Sequence, residues 1–163
     1  MAEPRSRTFS WSDPGETLAG ITTLPGLEAL ERMLAGELPY PPIAHLMGMR
    51  LVEVVRGRVV WEGVPGEEHY NPIGTVHAGF ATTLLDSAMG TAFVSEADAG
   101  TRWTTLELKA NFTRAITADT GVVRCTGTIV HGGRTVVTTE AKAEDGEGRL
   151  LAHATSTILV LDS

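Results

Sequence analysis

One stretch of this sequence, from about residue 77 to residue 95, constrains the possible fold more than any other. Its apolar residues recur at the spacing of an α-helix, and they are Phe80, Ala81, Leu84, Leu85, Ala88, Met89, Ala92 and Phe93. Because these residues cover a wide arc, the helix has to be buried on more than one side. A strongly curved sheet that wraps around the helix is the simplest structure that achieves this burial.

Six runs with the composition of β-strands flank this long helix. Two of them precede it, at 49–55 and 58–64, and four follow it, at 103–113, 122–130, 135–143 and 150–160. Short connections that contain glycine separate most of these runs, which predicts consecutive antiparallel hairpins. A short helix, opened by Pro25 and closed by Gly36, comes before the first strand. The order of elements predicts an α+β fold.

The length and composition indicate a single folded domain. A chain of 163 residues with 42% hydrophobic content can bury one core of ordinary size. Residues 1–24 are polar and contain few core-forming residues, so we interpret them as an N-terminal arm and residues 25–163 as the domain. Phe9 and Trp11 favour an arm that lies over a neighbouring surface.

The charge and the hydropathy exclude several classes of function. A formal net charge of −7 disfavours a nucleic-acid or membrane-surface protein, since both normally present a basic face to phosphates. The first residues lack the apolar core of a signal peptide, and no apolar run has the length of a membrane helix. We therefore expect a cytoplasmic protein. Cys125 lies in a predicted strand and is expected to be a small buried hydrophobe.

The segment HYNPIGTVHAGFATTLLD, residues 69–86, contains the candidate chemistry. The helix begins near His77 or Ala78, where unpaired N–H groups and the positive end of the helix dipole form a site for an oxyanion. Asp86 is an acid within an otherwise apolar pattern. The sequence contains no GxSxG, no HExxH or cysteine pair, and no glycine-rich phosphate loop. Hydrolysis of an acyl group by water is the interpretation that remains, with no metal.

The spacing within this segment adds a requirement for a second chain. Ala78 and Asp86 are eight residues apart, which corresponds to about 12 Å along a helix axis. A reacting carbon has to lie roughly 3 Å from both groups, so one acyl carbon cannot contact both groups of a single helix. If the two groups cooperate, the N–H and the carboxylate come from two chains whose helices lie side by side in opposite directions.

Three segments resemble the hotdog-fold thioesterases of the PaaI (phenylacetate-pathway) type. They are HYNPIGTVHAGFATTLLDSAMG, TTLELKANFTRA and LLAHATSTILV, and the resemblance covers residues 43–161 approximately. It implies a long central helix wrapped by a curved antiparallel sheet, and a dimer whose sheets join edge to edge with antiparallel helices. It also implies hydrolysis of an acyl-CoA to the free acid and coenzyme A without a cofactor, by a homodimer or a dimer of dimers.

The same resemblance assigns roles to four residues. Asp86 corresponds to the general base or nucleophile, and the N–H of Ala78 corresponds to the oxyanion hole. Asn71 corresponds to the residue that holds the thioester carbonyl or the water, and Thr105 to a hydroxyl that assists the water. Ala78 differs from the glycine found in many relatives; its methyl group narrows the approach of the acyl group but keeps the N–H.

Four further residues are candidates for binding the substrate. His77 and Gly79 flank the proposed oxyanion donor, and Gly79 keeps that approach open. Arg114 and Arg134 are candidate contacts for the phosphates of coenzyme A. Two alternatives remain at this point: a non-catalytic acyl-CoA-binding or sensing protein with the same fold, and a hotdog dehydratase, for which His77 and Asp86 are poorly spaced within one chain.

Overall fold

The structure is a computed structural model that describes residues 3–161. Residues 1–2 of the predicted arm and residues 162–163 of the predicted domain lie outside the described residues. The helices are α1 (Pro14–Thr23), α2 (Gly26–Leu34), α3 (Pro42–Met47) and α4 (Ala78–Val94). The strands are β1 (Met49–Val55), β2 (Arg58–Gly63), β3 (Arg102–Phe112), β4 (Val123–Gly132), β5 (Val136–Glu144) and β6 (Leu150–Leu161). Short 3₁₀ turns occupy Glu67–His69 and Ala118–Thr120.

The six strands form one antiparallel sheet in the order β1-β2-β4-β5-β6-β3. Helix α4 connects β2, near one edge of the sheet, to β3 at the opposite edge. Within residues 3–161, strand β3 therefore pairs only with β6, and its other side presents unpaired backbone groups. This edge strand is the one that carries Thr105.

Helix α4 is the centre of the fold. Ten of its residues are buried, and the helix contacts β2, β3, β4, β5 and β6 as well as α2. The prediction of an α+β fold in which a curved sheet wraps a long helix is confirmed. Glycine permits the closest approaches to α4: a Cβ atom on Gly127 of β4 would overlap the Ala88 carbonyl, and one on Gly26 of α2 would overlap the Val94 carbonyl.

The predicted strands and the long helix agree with the structure to within about two residues at each end, but two helices were not predicted. Helix α1 lies in the segment interpreted as an arm. Asp13 caps it by accepting a hydrogen bond from the Gly15 N–H at 2.9 Å, and Pro14 takes the first position, where its fixed φ favours a helix. Helix α3 follows the extended Pro41 and ends at Gly48, which adopts a left-handed conformation.

None of the helices within residues 3–161 combines the length and the hydropathy needed to cross a membrane.

Candidate active site

The loop that leads into α4 is held by the side chain of Asn71. Its Oδ1 accepts hydrogen bonds from the N–H groups of Ile73 at 3.0 Å and Thr75 at 3.2 Å, and its Nδ2 donates to the Thr75 hydroxyl at 3.0 Å. A backbone bridge between Tyr70 and Val76 closes the loop. The carboxamide therefore shapes the turn, and Nδ2 keeps a second hydrogen for another acceptor.

The first turn of α4 leaves one N–H group available. The Gly79 N–H donates to Nδ1 of His77 at 2.8 Å, and the Phe80 N–H donates to the His77 carbonyl at 3.0 Å. Within residues 3–161, the Ala78 N–H donates to no acceptor. Because Nδ1 of His77 accepts a hydrogen bond, the proton of the neutral imidazole is on Nε2. Ala78 thus presents a free donor at the positive end of the α4 dipole.

Gly79 has a structural role that the sequence did not reveal. A Cβ atom at this position would lie 2.9 Å from Nδ1 of His77. Glycine therefore leaves room for the imidazole to lie over the start of the helix and to accept the hydrogen bond from the Gly79 N–H. The cap leaves Ala78 as the donor that is open to a ligand.

A cleft of about 330 Å³ lies in front of this helix terminus. Its lining includes four of the residues predicted from the sequence, which are Asn71, His77, Ala78 and Arg114. The Arg114 guanidinium donates to the Leu150 carbonyl at 2.7 Å, which fixes the cation at the rim of the cleft. The cleft thus combines a cationic side chain with a free backbone donor, a pair that suits an anionic or strongly polarised ligand.

Asp86 and Thr105 form a second, separate group. The Thr105 hydroxyl donates to Oδ1 of Asp86 at 3.2 Å, and this bond joins α4 to the edge strand β3. Burial raises the pKa of the Asp86 carboxyl above its ordinary value, and the hydrogen bond from Thr105 opposes this shift by a smaller amount. Asp86 nevertheless retains an exposed surface in the single chain, so a ligand can reach it.

Within one chain, the Asp86–Thr105 pair lies apart from the cleft at the Ala78 N–H. Asp86 and Thr105 do not line the cleft at the helix N-terminus, and eight residues of continuous helix separate Asp86 from Ala78 by about 12 Å.

Arg134 lies far from Arg114. Its neighbour Thr135 accepts a hydrogen bond from the N–H of Val160 near the end of β6, whereas Arg114 is bonded to Leu150 at the start of β6. The intervening strand separates the two arginines by about 30 Å. Arg134 is therefore at the end of the sheet opposite the cleft of its own chain.

Two long-range hydrogen bonds that the sequence does not predict hold the back of the cleft. The Val76 N–H donates to the Ile116 carbonyl at 2.9 Å, and the Tyr70 hydroxyl accepts from the Ala118 N–H at 3.1 Å. These bonds join the loop before α4 to the segment after β3, with the bonded residues 40 and 48 positions apart in the chain. No local pattern indicates such a pairing.

No cluster of three or more His, Cys, Asp or Glu side chains within the described part of the chain is arranged to hold a metal ion.

The chain is similar to proteins of one family. A family model described as "Thioesterase superfamily" matches residues 73–152, which include α4 and β3 to β5. A structure of a conserved protein from Pseudomonas aeruginosa is 30% identical, with 80% of this chain and 98% of that chain covered and a TM-score of 0.70. None of the curated proteins compared with the chain matches it.

Two other solved structures are related to phenylacetic acid degradation. One, a phenylacetic acid degradation-related protein from Ralstonia eutropha, is 28% identical over 80% of this chain and 98% of that chain, with a TM-score of 0.73. The other is a mutant of the phenylacetic acid degradation protein PaaI from Thermus thermophilus, 26% identical over 74% of this chain and 99% of that chain, with a TM-score of 0.67. The chain belongs to the thioesterase superfamily and is a hotdog-fold protein of the PaaI type.

Proposed function

We propose that this protein is an acyl-CoA thioesterase whose active site is shared between two chains. Membership of the thioesterase superfamily supports thioester hydrolysis in general. The observation that carries the detailed proposal is the pair of functional groups on α4. A free N–H of Ala78 begins the helix, and a carboxylate with a raised pKa, Asp86, lies two turns further along and is bonded to Thr105.

Each group has a defined role in the hydrolysis. The Ala78 N–H polarises the thioester carbonyl and stabilises the oxyanion that forms when the carbon is attacked. Asp86 removes a proton from water, assisted by Thr105, so that the resulting hydroxide attacks the carbonyl carbon. When the tetrahedral intermediate collapses, the C–S bond breaks, and the thiolate of coenzyme A takes up a proton. In the variant mechanism, the Asp86 carboxylate attacks directly and water then hydrolyses the acyl-enzyme anhydride.

The cleft supplies binding contacts. Among the described residues, the second Nδ2 hydrogen of Asn71 and the Nε2 atom of His77 have no partner, and both side chains line the cleft beside Ala78. Arg114 lies at the same cleft and suits a phosphate of coenzyme A. Arg134 is assigned to the cleft of the partner chain, because about 30 Å separates it from Arg114 in its own chain.

The proposal requires a dimer in which two α4 helices are antiparallel. Strand β3 supports this arrangement because it is an eleven-residue edge strand with one side unpaired. Antiparallel pairing of two such strands about a twofold axis is compatible with antiparallel α4 helices, as the shared site requires.

Complementation between two inactive variants tests the shared site. Asp86→Asn removes the carboxylate, and Ala78→Pro removes the N–H at a helix position where proline is tolerated. Random exchange in an equimolar mixture makes half of the dimers mixed, and each mixed dimer has one intact site and one doubly defective site. Thiol release from CoA thioesters should therefore recover to about a quarter of the wild-type rate.

The controls separate the alternatives. Mass-tagged chains establish that subunits exchange, and each variant mixed with itself provides the background rate. A mixture that exchanges its subunits but stays inactive would place both groups in one chain and overturn the shared site. Wild-type protein that binds CoA thioesters tightly but hydrolyses none of a panel of them would instead establish the non-catalytic binding protein.

A further inference from the structure

A second cavity, of about 320 Å³, lies between the N-terminal helices and the C-terminal half of α4. It is distinct from the cleft at the helix N-terminus and shares none of its lining residues. Helices α1 and α2 form one wall of the cavity, and α4 with two tryptophans forms the other. The residues that line the cavity include Leu18, Ile21, Met33, Trp61, Val94 and Trp103.

The two threonine hydroxyls and the Trp61 Nε1–H in the wall of the cavity are already hydrogen bonded. The Thr17 hydroxyl donates to the Pro39 carbonyl at 3.0 Å. The Thr91 hydroxyl accepts from Nε1 of Trp61 at 3.0 Å and donates to the Ser87 carbonyl at 2.6 Å. A polar ligand would lose its hydration here without gaining a partner, so the cavity selects an apolar group.

The cavity lies on the side of the fold toward which α4 and β3 run from the Asp86–Thr105 pair. Trp103 lies two residues before Thr105 on β3, and alternate residues of a strand face the same side of the sheet. Gly90 lies one turn beyond Asp86, and its missing side chain lets the Trp103 ring approach α4, since a Cβ atom there would be 3.0 Å from the ring. Val94 is one turn further and lines the cavity. Val94, which lines the cavity, is therefore eight residues and about 12 Å along the α4 axis from Asp86.

One wall of this cavity lies outside the matched region of the family. The family model matches residues 73–152, whereas α1 and α2 lie within residues 14–34. The helices are nevertheless firmly placed: the Gly26 N–H donates to the Ala97 carbonyl at 2.9 Å, and the Gly100 N–H donates to the Thr22 carbonyl at 2.9 Å. The size and shape of the cavity consequently depend on residues that the matched region does not include.

We propose that this cavity binds the acyl group of the thioester and that helix α1 sets the upper limit of acyl size. The inference rests on the proposed thioesterase function. A cavity of roughly 150 Å³ accommodates benzene, so the larger volume of about 320 Å³ has room for an aromatic ring with a linker or for a medium-length aliphatic chain. The substrate class is an uncharged, wholly apolar acyl group larger than acetyl.

Substitutions of Ile21 test the proposal by changing the volume of the cavity. Ile21→Trp fills it, whereas Ile21→Ala enlarges it. Ala19→Trp is the matched control, because it adds the same indole at an exposed position of α1 that does not line the cavity. Leu18→Trp is a second filling variant at a largely exposed residue of the wall, and it decides the question if Ile21→Trp does not fold.

The expected result is a change in selectivity rather than a uniform loss of activity. In both filling variants, kcat/KM for hexanoyl-CoA and phenylacetyl-CoA should fall by at least about tenfold, while kcat/KM for acetyl-CoA changes by less than about twofold. Ile21→Ala should shift the preference towards longer chains, and Ala19→Trp should match the wild type. Folded filling variants with an unchanged preference among the three substrates would overturn the proposal.

A binding measurement separates this proposal from the proposed hydrolysis. Thioethers of coenzyme A with methyl and hexyl groups cannot be hydrolysed, and their affinities are measured by calorimetry. Tighter binding of the hexyl compound that disappears in the filling variants supports the cavity even if no thioester is hydrolysed. Equal affinity of the wild type for both thioethers would refute the cavity, whether or not hydrolysis is observed.

Discussion

Replacement of Ala78 by proline tests the oxyanion donor with little disturbance of the fold. Ala78 is the first residue of α4, and its N–H has no acceptor within residues 3–161, so proline removes no hydrogen bond of the folded chain. The preceding residue, His77, has φ −59° and ψ 138°, which is the conformation that a following proline requires. The fixed φ of proline also matches the first turn of a helix.

Ala78→Pro should have a large effect on kcat and a small effect on the free energy of unfolding. Loss of one oxyanion donor reduces kcat by about 10²- to 10³-fold, which is roughly 2.7–4 kcal/mol of transition-state stabilisation. The free energy of unfolding should change little, or increase by about 0.4–1 kcal/mol, because proline restricts the unfolded chain. Thiol release measures the first quantity, and urea denaturation at fixed protein concentration measures the second.

Two further substitutions at Ala78 separate the loss of the N–H from the added bulk. Ala78→Val adds a branched side chain but keeps the N–H, and Ala78→Gly keeps the N–H with a smaller residue. Both should retain most of the wild-type kcat, whereas Ala78→Pro should not. A folded Ala78→Pro protein with near-wild-type kcat would refute the role of this N–H, and an Ala78→Val protein as slow as Ala78→Pro would assign the effect to steric blocking.

Two other predictions concern hydroxyl groups. Thr105→Val removes the hydrogen bond that lowers the pKa of Asp86, so this pKa should rise and the acidic limb of the pH–rate profile should move to higher pH. The exposed control Thr104→Val should leave the limb in place. An unmoved limb in Thr105→Val, or an equal shift in the control, would contradict this prediction. Thr139→Val removes a fully buried hydroxyl with no partner among the described residues, and it should stabilise the fold by about 1–2 kcal/mol, or roughly 2–8 °C in Tm. Thr138→Val is the control, because Thr138 is half-buried on the same strand. A lower urea midpoint for Thr139→Val than for the wild type would count against the prediction.

The sequence predicted the elements whose signals are local. The 3.6-residue period of α4 and the short glycine-containing connections between strands act over neighbouring residues, and these elements appear within about two residues of their predicted ends. Helix α1 was missed because Leu18 and Ile21 are its main apolar side chains, and its start is marked only by Asp13 and Pro14. A capping signal without an apolar stripe does not distinguish a helix from a turn.

The candidate site was predictable only where its groups lie close together in the chain. Asp86 and Ala78 share one helix, so their separation follows from the geometry of an α-helix. Arg134 was grouped with Arg114 because both lie near predicted strand ends, but the end of the sheet to which each belongs depends on the strand order. The apolar cavity combines α1, α2, α3, β2, α4 and β3, and no local pattern relates these segments.

The raised pKa of Asp86 indicates that the charge of this side chain disfavours the folded state. Burial raises the pKa of its carboxyl in the folded chain above the unfolded value. Between those two values the folded state binds more protons than the unfolded state, so stability decreases as the pH rises through this interval. Above it, the folded chain bears a cost for the partly desolvated charge, which solvent at the exposed side chain reduces and the hydrogen bond from Thr105 opposes. A partly buried carboxylate that costs stability at neutral pH, but is more basic and still reaches solvent, has the properties that a general base in hydrolysis requires.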